Sequence, residues 1–258
     1  MLITDPWFYA AAIPAVLIFG IAKGGFGGGL GAAAVPLMAL VISPVQAAAI
    51  LLPILCLMDI VTLWAYRGKW DLGELRLLLP ASIVGIAIGT WSFEYLSADA
   101  IRLCVGIVAV AFTLHYIVNR LRPGTGDLPE LPRGAAAPAA AVAGFTSFIA
   151  HAGGPPLNMY LLRRPLDRTG FVATTAVFFA IVNYVKLIPY GFLGQLSTQN
   201  LMTSAALAVF APVGVYTGVW LHKRVSDQTF FAVVYTILLV LGARLIFDGI
   251  GGIGGVNS

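Results

Sequence analysis

From Pro44 to Tyr66 the chain carries a single formal charge, Asp59, and similar apolar runs recur along its length, Ile101–Val118 among them. Such a run matches the roughly 20 residues a helix needs to cross the ~30 Å core of a bilayer. That requirement excludes most folds. In lipid every backbone N–H and C=O must be bonded within the structure, which leaves helices or a closed barrel. The ten-residue alternation of a barrel is absent. Composition agrees: 59% of the 258 residues are apolar and 10% are charged, whereas soluble domains run near a quarter charged. The expected fold is an all-α polytopic membrane protein.

The formal net charge of +4 arises in short connections. Arg67 and Lys69; Arg120, Arg122 and Arg133; Arg163, Arg164 and Arg168; and Lys223 with Arg224 occupy four of them. That is the distribution of a helical membrane protein, with no nucleic-acid surface. Cys56 and Cys104 lie in apolar segments and read as buried, reduced and structural. No basic residue precedes Lys23, so the start lacks the positive region of a signal peptide and reads as the first membrane element.

One apolar stretch is interrupted. Ala22-Lys23-Gly24-Gly25-Phe26-Gly27-Gly28-Gly29-Leu30-Gly31 lies between Trp7–Ile21 and Ala32–Ile42. Each glycine weakens a helix by about 0.5–1 kcal/mol relative to Ala, so a break is expected there. A lysine at membrane depth is costly, and irregular backbone persists in a membrane only where protein buries it or it lines a cavity.

The second half repeats the first at an offset of about 128. Ile21-Ala22-Lys23-Gly24-Gly25 is echoed by Ile149-Ala150-His151-Ala152-Gly153-Gly154, Gly85-x3-Gly89-x-Trp91 by Gly214-x3-Gly218-x-Trp220, and Ser97 by Ser226. Three matches in register indicate duplication. The boundaries follow: a first membrane repeat over 1–118, a cytoplasmic linker over 119–134 rich in Pro, Gly and charge, and a second repeat over 135–258. If each broken element spanned the membrane once, two basic connections would fall outside. If each is a re-entrant hairpin, all four lie in the cytoplasm and both termini outside, as the positive-inside rule prefers. Trp7–Ile21, about 22 Å as a helix, and Leu30–Ile42, about 20 Å, both fall short of the core. The expected architecture is two inverted-topology repeats, each a glycine-broken re-entrant helix hairpin plus three transmembrane helices; a kinked eighth span is the alternative.

Repeats of this kind hold substrate between their breaks. A broken helix exposes backbone N–H groups that favour an anion. Lys23, Gly24, Gly25, Gly27, Gly28 and Gly29 are the candidates from the first break, and His151, Gly153, Gly154 and Asn158 from the second, with Pro155-Pro156 suited to a first helical turn. Lys23 either supplies charge to the anion or reaches the interface. His151 pairs with the anion, carries a proton, or is a hydrogen-bonded structural histidine. Asn158 either donates to substrate or packs helices. Asn183 is the deeper candidate on its helix; Lys186, one turn on, takes part in coupling or snorkels. Asp59 either couples an ion or pairs with a base. Gly85/Gly89 and Gly214/Gly218 are spaced for close helix crossing, and Arg244 with Asp248 for a peripheral ion pair. No P-loop is present, no strand supports Gly29-x-Gly31-x2-Ala34 as a dinucleotide fingerprint, and His115, His151 and His222 are too scattered for a metal site. No enzyme, cofactor or metal is expected.

Ala22–Gly31 with Pro36, then Ser43-Pro44-x3-Ala48 and Pro53, and Gly153-Gly154-Pro155-Pro156 in the second half, resemble the sulfite exporter TauE/SafE family over nearly the whole chain. The resemblance implies a secondary transporter in a bacterial inner membrane. It would export sulfite, sulfoacetate or a related small sulfur-containing anion by alternating access, coupled to protons or another ion. A passive anion channel of the same architecture is the alternative. The second break departs from the first in carrying His151 and Pro155-Pro156.

Overall fold

The structure, a computed structural model, describes residues 2–26, 31–93, 95–121, 130–221, 224 and 227–253. All regular structure among them is helical: α1 (Pro6–Gly25), α2 (Ala34–Met38), α3 (Pro44–Ala65), α4 (Leu72–Phe93), α5 (Ala98–Leu121), α6 (Ala136–Ala150), α7 (Gly154–Leu161), α8 (Arg168–Phe192), α9 (Thr198–Leu207), α10 (Phe210–Leu221) and α11 (Asp227–Ile253). Six helices are long and apolar enough to cross a membrane. A seventh span is counted if α9 and α10, bent by 45° at their junction, act as one.

Side-chain caps fix several starts. The Asp5 carboxylate accepts from Trp7 N–H, the Ser43 hydroxyl from Gln46 N–H ahead of Pro44, and Asp167 from Gly170 N–H. Ser97 caps α5 through Ala100 N–H, as its position predicts.

Two expectations are corrected. First, α1 does not stop at Ile21. It runs through Lys23-Gly24-Gly25 for 20 residues, about 30 Å, so it is not too short to cross the core. Gly24 keeps its helical place because its bare Cα lies against the Val215 backbone of α10, where a Cβ would collide. The returning arm is correspondingly shorter, a single 3-10 turn (Gly31–Ala33) followed by α2. Second, where a continuous second crossing of the second half is expected, the helix is divided into α9 and α10.

Helices of the two halves pack on each other reciprocally. Gly214 of α10 lies against Leu17 and Gly20 of α1, and Gly218 against Ile21; Gly85 of α4 lies against Ala141 and Phe145 of α6, and Gly89 against Phe148. In both seams the chains run in the same direction. α5 and α11 run oppositely: Gly252 faces Asp99, Gly249 faces Leu103, Gly242 faces Ala109 and Val110, and Tyr235 stacks on Tyr116.

The ends of the bundle differ in charge. At one, Arg164 reaches Glu74 at 2.7 Å, Glu130 at 3.4 Å and the Leu131 carbonyl at 3.2 Å. Asp71 N–H donates to Thr174 there, at 2.9 Å. Three basic connections therefore meet. At the other end Gln46 donates to Asn200 at 3.3 Å, joining the connections at 39–43 and 193–197, neither of which carries Lys or Arg.

Candidate functional site

Where the ends of α1 and α6 approach the middle of α3 and α8, five polar side chains are buried among apolar neighbours: Lys23, Asp59, His151, Asn183 and Lys186. Each was legible as a candidate, and the fold brings them into two adjoining groups.

The first group is centred on Asp59, which is 0% exposed. The Lys23 ammonium forms an ion pair with its Oδ1, and the Asn183 amide donates to its Oδ2 at 2.8 Å. Lys23 also donates to the Leu55 carbonyl at 3.3 Å. This burial excludes a lysine reaching for the interface. The Asn183–Asp59 bond also joins α8 of the second half to α3 of the first.

The second group is centred on Lys186, likewise 0% exposed, which corrects the snorkelling alternative. Its Nζ lies 3.0 Å from both the carbonyl and the hydroxyl of Ser147 and 2.7 Å from His151 Nδ1. His151 Nε2 lies 2.9 Å from the Ala48 carbonyl. A carbonyl only accepts, so Nε2 carries hydrogen and Nδ1 faces the lysine. His151 holds this place through a left-handed backbone, φ 51°, at the end of α6. A non-glycine residue there is uncommon, and the turn bonds His151 N–H to Ser147 O and Ala152 N–H to Thr146 O.

Those two bonds alter the expected chemistry. Phe26, His151 and Ala152 N–H all close turns of their own helices, so at these three positions the breaks present side chains and not open amides. Between the groups lies a cavity of ≈ 10 Å³, lined by Phe19, Lys23, Leu55, Ser147, His151, Phe179 and Asn183. It has room for about one water. In this conformation the site is closed.

The remaining candidates lie elsewhere. Gly24 faces α10, and Gly153 packs on α6, where a Cβ would meet the Ala143 carbonyl at 2.5 Å. Gly154 is buried at the start of α7. Asn158 and Gly25 line a separate space of ≈ 320 Å³ near the basic end, with Arg164 and Arg168. Gly27, Gly28 and Gly29 fall outside the described residues. Ser147 and the two phenylalanines lining the cavity were not anticipated. Ser147 had one available signal, its position four residues before His151, one helical turn away.

At the basic end Glu74 accepts from Arg164 and from the Tyr160 hydroxyl, both at 2.7 Å. The bond to Glu74 raises the Arg164 pKa further above its ordinary value. Arg244 and Asp248 form the expected exposed pair at 3.0 Å. Cys56 is buried and Cys104 half-buried, and both are free thiols.

No curated protein and no solved structure matches the chain. Helices of spanning length, short basic connections and a buried polar centre make a multi-pass membrane transporter, and the family model for the sulfite exporter TauE/SafE, which matches residues 12–245, shows that the chain belongs to that family.

Proposed function

We propose that the chain is a secondary transporter that exports a small sulfur-containing anion by alternating access. The binding site is the closed cavity between Lys23 and the His151–Lys186 pair. One observation carries this reading: buried Lys23 and His151, at matching positions of the repeated sequence, line one small space, with Lys186 bonded to His151 behind it. Burying a cation at membrane depth is costly, and an anion placed between the two offsets part of that cost. The Asp59, His151 and Lys186 side chains are the groups on which a proton or other coupling ion would act.

The packing supports two inverted repeats. Equivalent helices α5 and α11 lie antiparallel, as an axis in the membrane plane requires, and the α1–α10 seam mirrors the α6–α4 seam. The meeting of residues 162–168 with Glu74 and Leu131 at one end favours a re-entrant second hairpin, because a complete span would carry 162–168 to the opposite face. With the basic end cytoplasmic, both termini lie outside, in the periplasm of a bacterial inner membrane, and residues 1–118 and 135–258 are the two repeats.

The test is flux in proteoliposomes, with sulfite, sulfoacetate, taurine, thiosulfate and sulfate offered with and without a pH gradient. Saturable flux that responds to the gradient is expected. Flux that rises without saturation and runs only downhill would mark a channel. Lys23→Gln and Lys186→Gln are each expected to weaken the apparent affinity at least about tenfold, the scale of one lost charge contact; unchanged affinity in both would remove the cavity from the site.

A further inference from the structure

We infer that this cavity is a site for monoanions: its fixed charges leave one positive unit, which matches an alkanesulfonate or hydrogensulfite and leaves sulfate, the sulfite dianion or sulfoacetate with an unmatched negative charge. The inference rests on the exporter reading and narrows its substrate class.

The charge follows from the hydrogen bonds. Lys23 and Asp59 cancel as an ion pair, and Asn183 contributes only a neutral donor. His151 Nε2 carries hydrogen toward Ala48, so a single proton lies on the 2.7 Å line between Nδ1 and Lys186 Nζ. Because Lys186 also donates to the Ser147 carbonyl and hydroxyl, the pair bears one positive charge whether that third proton resides on histidine or on lysine. The other two Lys186 contacts, the Ser147 carbonyl and hydroxyl, complete the three hydrogens of an ammonium.

No other described residue facing the centre changes this sum. α1 contributes Lys23, α3 contributes Asp59 and the Cys56 thiol, α6 contributes Ser147, and α8 contributes Asn183, Lys186 and the Tyr190 hydroxyl, which is bonded to the Phe148 carbonyl at 2.7 Å. Glu74 is the other buried carboxylate among the described residues, and it is paired with Arg164 at the basic end. A monoanion therefore closes the cavity as a neutral assembly. A dianion leaves a negative charge buried without a partner, and such a charge shifts an equilibrium by well over about tenfold even at a moderate effective dielectric.

The decisive comparison uses two ligands of similar size and shape, methanesulfonate and sulfate, as inhibitors of sulfite flux by the full chain in proteoliposomes. Methanesulfonate should inhibit at least about tenfold more strongly than sulfate. Asp59→Asn, which removes the only central negative charge and keeps an acceptor for Asn183, should shift that ratio toward sulfate by a similar factor. Equal inhibition by the two ligands in the native protein overturns the inference and leaves the exporter reading intact, as does an unchanged ratio in a folded Asp59→Asn. The native ratio decides the matter alone if that variant does not fold. Absence of any sulfur-anion flux overturns both readings.

Discussion

Asp59 is the residue on which the centre balances. Its carboxylate has no water-facing surface, and its stability depends on Lys23 and Asn183. Removing one partner of a buried pair leaves the other uncompensated and typically costs about 3–5 kcal/mol, more than the pair itself contributes. Asp59→Ala and Asp59→Asn both strand the Lys23 ammonium, and Asp59→Ala should lower the thermal unfolding temperature in detergent further, because the asparagine still bonds to its neighbours. Equal shifts would mean that the stranded Lys23 ammonium, common to both variants, sets the penalty, and not the lost hydrogen bonds and packing. The five buried polar groups were legible because each interrupts an apolar run where an ionisable or amide side chain is expensive. Ser147 was not legible, because a helical serine can satisfy its hydroxyl on its own backbone, as Thr146 does with the Val142 carbonyl at 2.8 Å. Residue type therefore does not separate the two, and the spacing of Ser147 from His151 is the one signal that does.

At the level of elements, small residues decide which helices touch. Gly218 and Gly85 each present a bare Cα to a neighbouring carbonyl, of Ile21 and Ala141 respectively. Gly218→Leu and Gly85→Leu should force the seams apart and abolish a monodisperse peak in size-exclusion chromatography. Gly191→Ala, in the last turn of α8 with nothing within 4 Å of the added methyl, should leave that peak unchanged and stabilise slightly, by about 0.5–1 kcal/mol at most. The glycine spacing on α4 and α10 foretold both seams, but not their partners, which lie in the other half of the chain. The same residue type misled at the first break. Counting glycines ended the helix at Ile21, yet close approach of α10 at Gly24 carries it to Gly25, because tertiary packing overrides propensity.

For the whole molecule, the ends of the bundle provide the test of orientation. With Cys56 and Cys104 replaced, single cysteines at Lys69 and Arg163 should be labelled by an impermeant maleimide from one side of the membrane, and one at Gln199 from the other. Labelling of 69 and 163 from opposite faces would replace the re-entrant hairpin with a full span. The charge pattern of the connections already pointed this way, since basic residues favour one leaflet irrespective of helix packing. The bend in the α9–α10 crossing had no comparable signal, because the corresponding run in α4 continues as one helix through Pro80. That elbow has a consequence. α9 is fastened to α3 through Ser204 and the Ile50 carbonyl, 2.7 Å apart, whereas α10 is clasped to α1 along its glycine seam. The angle between Leu207 and Phe210 thus helps set the spacing between the rod bearing Lys23 and the one bearing Asp59.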